Sequence, residues 1–258
     1  MIEVHHLNES RSRRIIWILE ELAQPYVVIR YERDIATRLA PPELTRIHPL
    51  GKAPVLRDND LVLVESGAIL DYLIRQYGQG HFAPAMDSQA YNRYVQFLHY
   101  AEGSAMLPLI LNLYIGRLGE VGAPLHPRIQ SELRNHLGYL NQCLEQQEYL
   151  VGNAFSGADV QMSFVAQMAV KVMGREFFPH LTRYVDRLEA RPAYQRRGRS
   201  HRLGGYCVLD KLSQTLARQP LLDRLQIGVR LVLPDQVHQS TDFVAIDRQP
   251  RHVGRAHR

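Results

Sequence analysis

The sequence predicts an α/β unit over residues 1–80, an all-α unit over residues 88–195 and a basic extension over residues 196–258. Three observations lead there. Strand and helix signals alternate through the first eighty residues in the order β-α-β-α-β-β-α. Helical periodicity takes over from residue 88, with few strand signals. Between the two stand Gly78-Gln79-Gly80 and Pro84, residues that interrupt regular structure and mark a linker. The length, 258 residues, also exceeds a typical single domain of roughly 100–200 residues.

Ile2 to Leu7 is short, with apolar residues at alternating positions, and reads as a strand. Ile15, Leu19 and Leu22 then stand at i, i+4 and i+7, one apolar helical face. Ser10 or Ser12 is placed to cap that helix, and Pro25 closes it. Tyr26 to Tyr31 is rich in β-branched residues, and Glu43 to Ile47 forms a short helix after Pro41-Pro42. Pro54-Val55-Leu56 and Leu61 to Val64 flank Asp58-Asn59-Asp60 as a hairpin, after which Ser66 caps a helix from Gly67 to Tyr77. Helices are expected over 88–118, 126–148, 156–173 and 177–190, with Tyr94, Phe97, Leu98, Ala101 and Ala105 on the inward face of the first. Ser156-Gly157-Ala158-Asp159 resembles a capping box with Asp in place of Glu.

Charge is divided unevenly. The net charge is +5, yet the first 195 residues carry −2 and the segment from Arg196 onward +7. A nucleic-acid-binding body therefore has no support. The longest apolar run, Met162 to Val172, is interrupted by Ser163, Gln167 and Lys171 and falls short of the ~18 residues a bilayer crossing needs. No signal peptide is expected at Met1 to His5, and two cysteines make no disulfide framework, so a cytoplasmic setting is expected. The histidines lack a metal-ligand spacing, and no metal is expected. Beyond Glu189 no further Glu occurs. The extension is read either as a poorly ordered basic segment or as the product of an altered reading frame, with a helix at Leu209 to Leu225 and a strand at Val229 to Leu233 as its only structural signals.

Four local features carry chemistry. The loop His6 to Arg13 sets serines before a helix, where unpaired N–H groups favour an anion; plain capping is the alternative reading. His48-Pro49-Leu50-Gly51-Lys52-Ala53-Pro54 places a lysine before a strand, and a cis Ala53–Pro54 bond would turn the Ala53 backbone outward for an extended peptide; the alternative is an ordinary loop. Glu65-Ser66 joins a carboxylate and a hydroxyl at a helix start, a pairing suited to an α-amino acid head group or simply to a cap. Glu102, in a rather apolar helix, needs a partner, a ligand or water.

Together these features resemble the cytosolic glutathione transferases over residues 1–195, and most closely the serine-type bacterial and fungal branch. The stretches that carry the resemblance are His5-His6-Leu7-Asn8-Glu9-Ser10-Arg11-Ser12, Trp17-Ile18-Leu19-Glu20-Glu21-Leu22, Glu65-Ser66-Gly67-Ala68-Ile69 and Ala101-Glu102-Gly103-Ser104. The resemblance implies a thioredoxin-like first domain that binds glutathione, a helical bundle that lines the electrophile pocket around Met106 to Tyr114, and a homodimer. It implies that Ser10 faces the glutathione sulfur, with Ser12 as the alternative and Asn8 as a further one. Lys52 is implied to meet the glycyl carboxylate, Ala53 before Pro54 to pair with the cysteinyl backbone, and Glu65 with Ser66 to hold the γ-glutamyl group. Glu102 approaches that group, from its own chain or a partner subunit. Glutathione is then a co-substrate, the second substrate is a small hydrophobic electrophile, no other cofactor is needed, and the role is detoxification. Glutathione-dependent peroxide or disulfide reduction, and a noncatalytic binding or regulatory role, stand as alternatives.

Overall fold

The structure, a computed structural model, describes residues 1–199. A four-stranded sheet is built from β1 (Ile2–Leu7), β2 (Tyr26–Tyr31), β3 (Val55–Asp58) and β4 (Leu61–Val64), in the order β2-β1-β3-β4. β1 and β2 run parallel, Ile2 opposite Tyr26 and Leu7 opposite Tyr31, and the crossover that a parallel pair requires is α1 (Ser12–Glu21). β3 joins the other side of β1 antiparallel, with Val4 opposite Leu56, and the two-residue turn Asn59-Asp60 leads into β4. The helices α2 (Glu43–Ile47) and α3 (Ser66–Tyr77) complete the expected order. This is the thioredoxin-like arrangement.

The sequence shows one apolar face on α1, but Ile15, Ile16, Trp17, Ile18 and Leu19 are all buried. The reason is its place in the molecule. α1 packs on β1 and also on α3, on α7 (Gly157–Met173) and on α9 (Pro192–Arg199). Trp17 meets Phe155 and Tyr194 at ring-centroid distances of 5.5 and 5.1 Å, so it is shared between the sheet unit and the helical unit. One continuous apolar core runs from Ile2 to Ala193.

The helix expected over 88–118 is divided. α4 (Gln89–Tyr100) passes through a π-helical turn, Ala101–Ala105, into α5 (Met106–Gly116). Met106 N–H bonds the Ala101 carbonyl, five residues back. Pro108 supplies a physical reason: in an unbroken α-helix its ring would press on the Ser104 carbonyl, and the wider turn relieves that clash. Tyr94, Phe97, Leu98, Ala101 and Ala105 are buried as expected. A 3₁₀ segment (Gly119–Leu125) that the sequence pattern does not announce comes next, and α6 (His126–Cys143) and α8 (Pro179–Glu189) follow that pattern, with α6 ending earlier than expected.

α9 lies across the expected boundary between residues 195 and 196. Arg196 Nε pairs with Glu20 at 2.9 Å, and Arg197 is buried with its guanidinium 3.7 Å above the Tyr194 ring. The basic segment therefore begins as part of the folded body. The readings at Leu209 to Leu225 and Val229 to Leu233 lie outside the described residues. Among the described residues, no helix is long and apolar enough to cross a membrane.

The start of α7 is fastened by Asp159, which is fully buried. Its carboxylate accepts from Leu150 N–H at 3.0 Å, Ser156 N–H at 2.8 Å, Ser156 Oγ at 3.1 Å and Tyr184 OH at 2.9 Å. Gly157 stands beside it, and a Cβ there would lie 2.4 Å from Ile74 Cδ1 and 3.0 Å from the Tyr94 hydroxyl, which would have to shift. Asp159→Ala is expected to lower unfolding free energy by about 3–5 kcal/mol, since several buried donors lose their acceptor at once. Urea denaturation measures this, and a midpoint equal to the wild type would contradict it.

Candidate active site

Three chain segments converge where the sheet unit meets the helical unit. The first is the loop between β1 and α1. His6 Nδ1 lies 2.6 Å from Ser12 Oγ, Ser12 Oγ lies 2.6 Å from Ser10 Oγ, and Ser10 Oγ donates to the Leu7 carbonyl at 2.7 Å. Both serines are buried, Ser10 at 5% exposure and Ser12 at none. Neither serine caps α1 in the ordinary way: the residue at the helix boundary is Arg11, and Ser10 Oγ accepts only a long 3.3 Å bond from Ser12 N–H. Asn8 is engaged elsewhere. Its side chain accepts from Arg33 N–H at 2.9 Å and its carbonyl from Arg33 Nε at 3.2 Å, which shapes the loop.

The second segment is the π-helical turn carrying Glu102. Arg14, on α1, is 1% exposed, and its Nη1 donates to Glu102 Oε1 at 2.5 Å and to Ser66 Oγ at 3.1 Å. Arg11 Nε donates to the other Glu102 oxygen at 2.7 Å. Both guanidiniums lie over the Phe164 ring, that of Arg11 at 5.5 Å and that of Arg14 at 5.3 Å. Burial pulls the Arg14 pKa down to about 10, against the opposing pull of Glu102. Burial raises the Glu102 carboxyl, but the charges and hydrogen bonds of Arg14 and Arg11 outweigh it and hold the group below its ordinary value.

The third segment is the start of α3. Glu65, not Ser66, occupies the N-cap position, and Ser66 is the first helical residue. Glu65 has φ +68, a conformation that costs a non-glycine residue ~1–3 kcal/mol and concentrates at ligand sites. Its side chain is exposed, whereas Ser66 is buried against Arg14. Nearby, Lys52 is exposed and the Ala53–Pro54 peptide is cis. Gly51 fixes the approach to Lys52: its φ is +57, and a Cβ would lie 2.8 Å from Thr45 Cγ2.

Hydrogen bonds thus join Ser66 and Glu102 through Arg14, and bring Ser10 and Ser12 together with His6. Lys52, Ala53 and Pro54 stand on the neighbouring loop into β3. Sequence reasoning missed the roles of Arg14, Arg11 and Phe164. A signal existed for the first: Arg14 shares a helical face with Ile18, and Glu102 was a charge in an apolar helix without a partner. Met106 and Leu109 point into the core, while Leu107, Leu111 and Tyr114 are exposed on α5. Two surface hollows, of about 480 Å³ beside Arg93 and Cys143 and about 510 Å³ beside Arg75 and Met86, contain none of the candidate residues.

Residues 4–81 match the family description "Glutathione S-transferase, N-terminal domain", and residues 100–192 match "Glutathione S-transferase, C-terminal domain". A glutathione S-transferase 1 of Saccharomyces cerevisiae is 30% identical over 217 residues, covering 75% of this chain and 92% of its own. The crystal structure of a glutathione S-transferase from Actinobacillus pleuropneumoniae superposes with a TM-score of 0.70 at 34% identity, over 78% of this chain and 92% of that one. A glutathione transferase family member from Pseudomonas fluorescens, crystallised with two glutathione bound, gives 0.66 at 26% identity, over 76% and 91%.

The ion pair at this junction yields a pH-dependent prediction. The Glu102 pKa is lowered on folding, so its contribution to stability is present above the unfolded value of about 4.5 and is lost as pH falls through the folded one. Glu102→Gln leaves the Arg14 guanidinium buried without a counter-charge and is expected to cost about 2–3 kcal/mol at pH 7. The deficit relative to wild type should shrink as the pH is taken from 7 to well below about 4.5. Denaturant titration at both pH values checks this, and a deficit independent of pH would contradict it.

Proposed function

The chain belongs to the glutathione S-transferase family, and from that premise we propose that this enzyme adds the glutathione thiolate to small hydrophobic electrophiles, with Ser10 as the hydroxyl that meets the sulfur. The observation that carries the reading is the pairing of the Ser10 hydroxyl at the entry to α1 with a Glu65–Ser66 corner fastened to the same helix through Arg14. Sulfur and head-group contacts are then set by one rigid element.

In this reading Glu65 takes the γ-glutamyl ammonium. Ser66 Oγ accepts from Arg14, which leaves its own proton to donate to the γ-glutamyl carboxylate. The Ala53 backbone pairs with the cysteinyl residue, and Lys52 meets the glycyl carboxylate. Glu102 serves the site by holding Arg14 and Arg11. Leu107, Leu111 and Tyr114 form the apolar side on which an electrophile rests. The reading includes a homodimer of the serine-type branch, working in the cytoplasm in detoxification.

The energetics fit. A free thiol has a pKa of ~8.5, and lowering it by ~2 needs ~2.7 kcal/mol of preferential stabilisation of the thiolate. A hydrogen bond to the charged sulfur supplies ~1.5–3 kcal/mol. The N-terminus of α1 adds ~0.3–1 kcal/mol. Nucleophilicity declines as the pKa falls, so holding the electrophile beside the sulfur must supply the rest of the rate.

Ser10→Ala is expected to lower turnover with an aryl halide by about 10–100-fold while glutathione affinity changes little, because the lost hydrogen bond acts mainly on the thiolate. Unchanged turnover in Ser10→Ala, with loss in Ser12→Ala, would transfer the role to Ser12. Glu65→Ala and Ser66→Ala are each expected to weaken glutathione binding by about tenfold, since part of the head group loses its partner. Calorimetric titration reads this, and normal affinity in both variants would overturn the assigned site.

A further inference from the structure

We propose that His6 and Ser12 are positioning residues that aim and polarise the Ser10 hydroxyl, forming a one-way donor chain from His6 through Ser12 and Ser10 to the glutathione sulfur. The inference rests on the reading of Ser10 as the hydroxyl that meets the sulfur.

The direction of the chain follows from its geometry. Ser10 Oγ is 2.7 Å from the Leu7 carbonyl, which only accepts, so Ser10 is the donor there. The 2.6 Å contact between the two serine oxygens then needs its proton from Ser12, in preference to the Leu7 carbonyl that lies 3.4 Å from Ser12 Oγ. With that proton committed, the 2.6 Å contact between Ser12 Oγ and His6 Nδ1 needs its proton from the imidazole. The network therefore assigns the hydrogen to Nδ1 of His6. The opposite direction would leave Ser10 Oγ facing a carbonyl oxygen at 2.7 Å with no proton between them.

The placement of the two residues favours a fixed orientation. His6, Ser10 and Ser12 are all buried, and His6 stands on β1, the strand bonded on both sides, opposite Arg30 of β2. Ser12 opens α1, whose apolar residues are wholly buried. Ser10 lies between them in a short loop where Glu9 takes φ +52 and is ion-paired to Arg38. The two members behind Ser10 in the chain thus stand on a paired strand and a packed helix.

Without a ligand, the Ser10 proton points at the Leu7 carbonyl. On binding a thiolate, the O–H turns from that carbonyl to the sulfur, while Ser12 keeps donating to the Ser10 oxygen. A hydroxyl that accepts a hydrogen bond becomes a stronger donor, and each further link adds to the effect. The thiol proton itself leaves to solvent. No proton passes along the chain, and the thiolate then forms its C–S bond to the electrophile as before.

The test is a titration of enzyme-bound glutathione in the full chain, following thiolate ultraviolet absorbance against pH, beside calorimetric affinity and the pH profile of kcat/KM. Ser12→Ala is expected to raise the bound thiol pKa by about 0.5, a roughly threefold loss of thiolate on its acid side, with glutathione affinity within about twofold. His6→Leu removes the same arm from outside the loop and should give the same shift, so the reading does not depend on how one variant folds. His6→Asn, which restores an N–H near the Nδ1 position, should return the pKa toward wild type. Ser10→Ala should raise it by more than either. If Ser10→Ala raises the pKa while Ser12→Ala and His6→Leu leave it at the wild-type value, the donor chain is overturned and the role of Ser10 stands. If Ser10→Ala leaves the pKa unchanged, the reading of Ser10 fails and the chain fails with it.

Discussion

Arg14 places a full positive charge at a point where water has almost no access, on the helix that is packed from both sides. Such a charge persists only with a counter-charge and hydrogen bonds close by. Glu102 supplies the first and Ser66 part of the second, and they come from different regions of the chain. The pair therefore ties α1, α3 and the turn between α4 and α5 to one point. Removing Glu102 would strand Arg14, so geometry around the candidate site and stability of the domain junction depend on the same contact.

The π-helical turn fits this picture. A regular helix through Ala101 to Ala105 would conflict with Pro108, and the wider turn both relieves that conflict and carries Glu102. Arg11, adjacent to Ser10, binds the same carboxylate, so the loop that bears the serines is tied to the helical unit. Phe164 beneath both guanidiniums adds an apolar wall with a favourable ring face. The serine loop thereby borrows its rigidity from the helical unit as well as from the sheet.

Much of this was legible in the residues. β1, β2, β4 and α2 fall where alternation, β-branched content and prolines place them, because these are local signals. The Ser156–Asp159 capping contact was legible for the same reason. The exact corner at α3 was not: Ser66 has the chemistry of a cap, yet the strained backbone of Glu65 shifts the helix start by one residue. Nor was the full burial of α1, since Ile16 and Trp17 lie off the stripe made by Ile15, Leu19 and Leu22 and are covered only by helices far along the chain. The Arg14–Glu102 pair spans 88 positions, and no local pattern announces a partner at that distance. α9 escaped notice because its arginine-rich sequence reads as solvated, whereas Glu20 and Tyr194 give Arg196 and Arg197 their partners.

The most direct test of the account is a crystal structure of the full chain with glutathione bound. The account places the sulfur within hydrogen-bonding reach of Ser10 Oγ, at about 3.0–3.5 Å, with the γ-glutamyl group at Glu65 and Ser66 and the Arg14–Glu102 pair intact beneath them. A glutathione seated elsewhere, or one whose sulfur turns away from the loop between β1 and α1, would contradict it.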